Sequence, residues 1–307
     1  MADCGHIPVL LTEVSELLQP KPKDVIVDLT AGRGGHAVHL AQLAGPDATV
    51  ILFDLDRENL DFATARVEKV GATVHPFHAN FATASTTIKA LGLQADCVLA
   101  DLGFASNQID TEERGLSFKL DGPLDMRLNT DSGITAAEII ESSSEKDLAD
   151  LIFQFGEEPY SRRIARKIVQ ERQKEPILGT VRLAQLVRSA YGARARSSRM
   201  HPATRPFMAL RIAVNEELTA LEALLTDIQA GCRPLNDGNW LRYGARLAVI
   251  SFHSLEDRRV KQSFVELEKR DLATRLTRKP ICASEDEIAA NPRSRPAKLR
   301  AVQILHE

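Results

Sequence analysis

The sequence predicts an α/β fold, a mostly parallel sheet with an all-helical segment inserted between its strands. Three observations lead there. Between residues 25 and 101, short β-branched runs alternate with helical periods, as in a chain of βαβ units. From about 112 to 207 only helical signals occur. Strand-like runs return at 245–252 and 299–304, after a helix that stops at Gly231.

Val25-Ile-Val-Asp-Leu29 reads as a first buried strand, followed by a glycine-rich turn. Ala37, Leu40, Ala41 and Ala44 then share one helical face, and Gly45-Pro46 ends that helix in the expected order. Thr49–Asp54 is a second strand. Leu60, Ala63, Val67 and Val70 mark a helix up to Gly71, a short strand surrounds Val74, and Asp96–Asp101 is a buried fourth strand. In the helical part, Thr135-x-x-Glu138 is a capping box and Ser144-x-x-Asp147 a looser one. Further helices surround Ile164 and Ile168, and Leu183 and Val187. Val214, Leu218, Leu221, Leu225 and Ile228 step along one long amphipathic helix. The expected domains are therefore 1–111 with 208–307, interrupted by 112–207.

The chain has 307 residues, 44% of them hydrophobic and 26% charged, enough for a substantial core. Its formal net charge of −3 excludes a uniformly basic protein. No run approaches the about 18 apolar residues of a membrane span, and the start lacks a signal-peptide pattern, so a soluble, cytoplasmic protein is expected. Cys4, Cys97, Cys232 and Cys282 form no C-x-x-C pair, which speaks against a zinc site or a disulfide framework, and no metal is expected.

The turn Asp28-Leu-Thr-Ala-Gly32-Arg-Gly34-Gly35-His36 lies between a strand and a helix, where glycines let the backbone approach a ligand. Read as Gly32-x-Gly34-x-x-Ala37 it satisfies the dinucleotide fingerprint, so NAD and an oxidoreductase stay open. Asp28 favours a cationic ligand over a pyrophosphate, and S-adenosylmethionine carries a sulfonium and an ammonium. Asp54, ending the second strand, can hold ribose hydroxyls in either case; Asp56 could do the same or cap the next helix. Asp101-Leu-Gly103-Phe104-Ala-Ser106-Asn107-Gln108 places further polar groups after strand four.

These residues resemble the small-subunit ribosomal RNA methyltransferase H family, nearly end to end. The likeness rests on His6-Ile-Pro-Val-Leu10, Gly32-Arg-Gly-Gly-His36, Asp101-Leu-Gly, Gly115-x-Ser-Phe118, Asp121-Gly-Pro-Leu-Asp-Met-Arg127, Arg163-Ile-Ala-Arg166, His201-Pro-Ala-Thr-Arg205, Ser251-Phe-His-Ser-Leu-Glu-Asp-Arg258 and Asn291-Pro-Arg-Ser-Arg295. It implies a Rossmann-like class I methyltransferase fold, S-adenosylmethionine as cofactor, and methylation of N4 of a cytidine in 16S rRNA of the small ribosomal subunit. It also implies cofactor contacts from Gly34, Gly35, His36, Asp54, Phe81, Asp101 and Gln108. The chain departs from the family at Leu29, where glycine is usual, and at Phe104, Ala105 and Asn107 in the loop after strand four, which puts the loop shapes in question. A binding module for ribosome assembly without catalysis is the reading in which those departures abolish turnover.

Asp101, or a backbone carbonyl between Asp101 and Gly103, is the expected acceptor for the target amine. Phe104 is a weaker candidate for stacking on the base. His253 is a second candidate for the base pocket, weighed against a structural role. Residues 160–211 hold 13 Lys and Arg against Glu171 and Glu175, and 258–300 hold 12 basic against 6 acidic residues. A solvated helix face usually mixes signs, so this bias points to phosphate contacts. With only Tyr160, Tyr191 and Phe207 nearby, backbone and shape recognition is expected rather than base stacking. Residues 194–200, without apolar periodicity, are expected to be a mobile loop that orders on RNA. The sequence leaves the oligomeric state open, a homodimer among the options.

Overall fold

The computed structural model describes residues 8–105, 108–109, 111–196, 200–232 and 239–305. The chain divides into two compact units, Met1–Gly103 with Leu218–Glu307, and residues 104–217.

The first unit is built on a seven-stranded sheet. In chain order its elements are α1 (Leu11–Leu18), β1 (Val25–Asp28), α2 (Gly35–Ala44), β2 (Thr49–Asp54), α3 (Arg57–Glu68), β3 (Thr73–His78), α4 (Ala84–Ala90) and β4 (Ala95–Asp101). The strand order is β3-β2-β1-β4, then β5 (Leu241–Ser251), β7 (Lys298–Ile304) and β6 (Ala273–Arg275). Strands β1 to β5 run parallel, and β7 pairs antiparallel with β5 and β6. This is the expected Rossmann-like class I methyltransferase sheet. The chain winds outward through β2 and β3 and then returns to the far side of β1 as β4. A crevice opens where the winding reverses, and open α/β sheets bind ligands there.

Period-two alternation divides the central strands between two cores. Val25, Val27, Ile51, Phe53, Val98, Leu247 and Val249 belong to one. Ile26, Val50, Leu52, Cys97, Leu99, Ala248 and Ile250 belong to the other. Both faces are covered, which is why these strands read as continuous apolar runs rather than alternating ones. β3 is the exception, mostly half-exposed at the sheet edge, where Pro76 costs no ladder hydrogen bond.

The second unit has its own core of Ile140, Leu148, Ile152, Ile164, Ile168, Leu183, Val187 and Leu210, among others. Its helices are α5 (Ala136–Ser142), α6 (Glu145–Gly156), α7 (Ser161–Arg172), α8 (Thr180–Tyr191) and α9 (Thr204–Val214). Thr135 and Glu138 form the complete capping box, and Ser144 caps α6 through Asp147 N–H. The segment 111–127 is held by close backbone packing. A Cβ on Gly115 would lie 2.1 Å from Pro123 O, and one on Gly122 only 2.0 Å from Glu112 O. Asp125 takes a bidentate grip on Arg127, with Nε and Nη2 each donating at 2.8 Å. The Asp121–Arg127 motif thus has a framework role in this unit.

Several expectations shift. The helix read from Val214 begins instead at Glu217 and runs to Gly231 as α10, because Glu216 has φ +51° and Asn215 is diverted. The Asn215 side chain accepts from Leu128 N–H and donates to Met126 O. Val214 ends α9, so the units part at 103/104 and 217/218, whereas a boundary at 207/208 would cut that helix. The eight-residue α1 and three-residue β6 were not read from the sequence. Gly192–Arg196 forms a 3-10 turn, while 197–199 of the expected mobile loop, together with His6, Ser106 and Asn107, lie outside the described residues. Among the described residues, no helix is long and apolar enough to cross a membrane, and Cys97, Cys232 and the exposed Cys282 are free thiols.

Phe53, fully buried and stacked on Phe77 at 5.3 Å, joins the sheet to one of these cores. Phe53→Ala is expected to cost about 3–5 kcal/mol, read as a lowered urea midpoint by far-ultraviolet circular dichroism.

Candidate active site

Three carboxylates end three adjacent strands at this crevice: Asp54 on β2, Asp28 on β1 and Asp101 on β4. The loop after β1 is fixed by hydrogen bonds to its neighbours. Leu29 N–H donates to Leu99 O and Ala31 N–H to Phe53 O. Gly32 N–H donates to Asp54 Oδ2 at 2.7 Å, and Asp56 N–H to Asp54 Oδ1 at 2.8 Å. Asp54 therefore faces the loop, while Asp56 caps α3 through Glu58 and Asn59 N–H.

The glycines are needed for shape. Gly34 has φ +75°, and a Cβ there would sit 3.0 Å from Ala63 Cα; one on Gly35 would sit 2.4 Å from Pro8 Cγ. Leu29, the departure from the family pattern, has no positive φ, and its side chain is buried in the core, so the turn keeps its form without a glycine there.

His36, on the first turn of α2, is buried. Its Nε2 lies 2.9 Å from Val9 O, so Nε2 carries the proton and donates. Nδ1 lies 3.7 Å from Asp101 Oδ2, beyond hydrogen-bond reach. Burial pushes the imidazole pKa below its usual value. Asp101 N–H donates to Thr30 Oγ1 at 2.7 Å, which ties the end of β4 to the glycine loop. The Asp101 carbonyl already accepts from Gly103 N–H at 2.8 Å, which favours the side chain as the free acceptor. Asp101 Oδ1 is buried with no hydrogen-bond partner. Such an atom is costly unless a ligand satisfies it.

Burial raises all three acids. Asp28 and Asp54 are each pushed up to about 6, and Asp101 to about 7, with Glu256 adding to the last. The cluster is ill suited to a pyrophosphate and suited to a cation, because a nearby positive charge restores the ionised forms. That disfavours the NAD alternative.

The remaining expected residues fall in different places. Phe81 opens a 3-10 turn capped by Asn80 and is partly buried against the core. His253 caps α11 (Ser254–Lys269) in a capping box with Glu256, so its Nδ1 is committed to the helix start, while its buried Nε2 lies 3.2 Å from Glu256 Oε1 without a hydrogen bond. Gln108 belongs to the second unit, where it is buried and its Oε1 accepts from Ala105 N–H. Phe104 belongs there too, with the Arg211 guanidinium 4.3 Å from its ring centroid. That face is occupied, which removes the simplest form of base stacking. Thr30, which secures Asp101, went unread because a hydroxyl before a glycine run carries no spacing signal.

The sheet order, together with a glycine turn whose neighbouring buried acids favour a cation over a pyrophosphate, fits a class I S-adenosylmethionine-dependent methyltransferase, the class to which the family match assigns the chain. Comparison with known proteins narrows this. The MraW methylase family profile matches residues 3–305, and the chain belongs to that family. Relatives named ribosomal RNA small subunit methyltransferase H include one from Geotalea uraniireducens, 42% identical over 99% of both chains. Another, from Cyanothece sp., is 45% identical over 98% of this chain and 95% of its own. Among solved structures, a SAM-dependent O-methyltransferase of Thermotoga maritima aligns with a TM-score of 0.39 at 10% identity, covering 99% of this chain and 68% of that one.

An acid whose folded pKa is raised contributes stability at low pH and loses it as pH climbs from the unfolded value to the folded one. In the ligand-free protein, Asp101→Asn should therefore gain thermal stability relative to the parent between about pH 4 and pH 7 and hold that gain above it. A difference between the two melting curves that stays constant with pH would contradict the assignment.

Proposed function

We propose that this protein methylates N4 of a cytidine in the 16S rRNA of the small ribosomal subunit, with S-adenosylmethionine as donor. The observation that carries the reading is the unpartnered, buried Asp101 Oδ1 at the end of β4, in a chain of the MraW methylase family. The residues present fit the cofactor: Gly34 and Gly35 bring backbone close, Asp54 offers its remaining lone pairs to ribose hydroxyls, and the buried acids suit its positive charge. Phe81 completes the proposed contacts within this unit. When bound, S-adenosylmethionine supplies an electrophilic methyl group.

The protein's own task is to make a poor nucleophile reactive. The lone pair of the cytosine amine is delocalised into the ring. Asp101 Oδ1 accepts a hydrogen bond from the amine, as carboxylates do from N4 of cytosine, and so favours a pyramidal nitrogen with its lone pair free. Holding that nitrogen in line is worth up to about 7–11 kcal/mol in well-oriented systems. The cationic donor favours the ionised form of Asp101, whose carboxylate is then placed to take up the proton the amine must release. Thr30 keeps the end of β4 in place through Asp101 N–H, while His36 anchors Val9. The basic segments 160–211 and 258–300 supply phosphate contacts, and the protein works in the cytoplasm, where ribosomes assemble.

Labelled methyl transfer to isolated small subunits, followed by nucleoside analysis, tests the function directly. N4-methylcytidine is the expected product, and Asp101→Ala should lower turnover at least a hundredfold. Near-normal turnover in that variant would remove Asp101 from the mechanism. Calorimetry near pH 6 in buffers of different ionisation enthalpy tests the acid cluster. S-adenosylmethionine should displace more protons than S-adenosylhomocysteine, which lacks the sulfonium.

A further inference from the structure

The helical unit contains a cavity of about 340 Å³, bounded by Glu158, Tyr160, Tyr191, His201, Pro202 and Arg205. That lies at the small end of ligand pockets, the scale of a single nucleoside rather than a chain segment. We propose that this pocket takes one unstacked nucleotide of the ribosomal RNA, separate from the methylated cytidine. The proposal rests on the rRNA reading above.

Its walls are built as a unit. Glu158 is fully buried, and its two oxygens clamp the two tyrosines: Oε1 accepts Tyr160 N–H at 2.8 Å and Oε2 accepts Tyr191 O–H at 2.6 Å. The rings meet edge to face at 4.9 Å. Burial and Glu158 push the Tyr191 phenol upward, so it stays a donor. On another wall, His201 stacks on Phe118 at 4.6 Å, which fixes the imidazole plane.

The rim is cationic. Arg205 is exposed beyond one hydrogen bond to Glu157 O, and the exposed Arg163 holds its guanidinium 5.8 Å from the Tyr160 ring centroid. The Glu158 oxygens are turned inward onto protein donors, while Arg205 and Arg163 are exposed. A cationic guest would be repelled at such an entrance. An aromatic ring carrying a phosphate matches both parts: the base rests on π surfaces and the phosphate on arginine. The local excess of 13 basic over 2 acidic residues in 160–211 supplies the longer-range attraction. The sparse aromatics expected to leave this region without base stacking are thus gathered at one point.

The test uses the full chain with small subunits carrying 4-thiouridine-substituted rRNA, irradiated and mapped by mass spectrometry, and steady-state kinetics on pocket variants. Crosslinks from rRNA to Tyr160, Tyr191 or His201 are expected. Tyr160→Leu and Arg205→Ala should each raise the KM for subunits about tenfold, with kcat and cofactor affinity unchanged, and Tyr160→Phe should behave as the parent. Absence of pocket crosslinks in the unsubstituted chain, unchanged KM in the folded variants, or crosslinks to a ribosomal protein instead would overturn the pocket. Crosslinks in place without any methyl transfer would overturn the proposed activity and uphold the pocket.

Discussion

The sheet unit is organised around carboxylates withheld from water at the ends of its central strands. Asp28, Asp54 and Asp101 sit where desolvation makes ionisation expensive, with neighbouring acids adding to it and backbone N–H donors to Asp28 and Asp54 only partly offsetting it, and their pKa values rise accordingly. A fold tolerates such groups when a ligand relieves them. The loop geometry follows from the same need. Asp54 holds Gly32 and Asp56 by their amides, Asp28 accepts from Thr30 N–H, Thr30 Oγ1 holds the Asp101 backbone N–H, and His36 fixes Val9, so the strand ends are joined to the loop beside them.

Residues that look chemical in sequence prove to be of two kinds. Asp101 keeps an oxygen unpaired, and no structural purpose explains it. Asp56 is consumed by a helix start, His253 commits Nδ1 to another although its buried Nε2 also lacks a hydrogen bond, and Asp257, in the same motif as His253, is spent on Arg300. The long Asp121–Arg127 motif holds irregular backbone by close contact at Gly115 and Gly122. A motif can therefore identify a family while most of its residues stabilise the frame.

The near-neutral total charge conceals a segregated one. Outside the two basic segments the chain carries 34 acidic against 14 basic residues. Such a division lets one protein favour a cationic cofactor and a polyanionic substrate, two ligands that a uniform charge could not serve together.

The strands, the helix starts and the glycine turn were legible in the sequence because each follows from local rules: apolar periods, capping spacings and left-handed positions. The motifs likewise marked Asp54 and Asp101. The break between α9 and α10 was not legible, since Val214 fits the period of either helix and only the capture of Asn215 by Met126 and Leu128 interrupts it. Neither was the short β6, which is a strand only because β7 pairs with it. Leu29 and Phe104 read as threats to the loops, until packing put one in the core and the other against Arg211. The sequence by itself determined the class of fold, the family and the acids. Which acid keeps a free oxygen, and which distant tyrosines meet across a buried glutamate, only the tertiary structure decided, because burial and hydrogen-bond competition depend on neighbours that are remote along the chain.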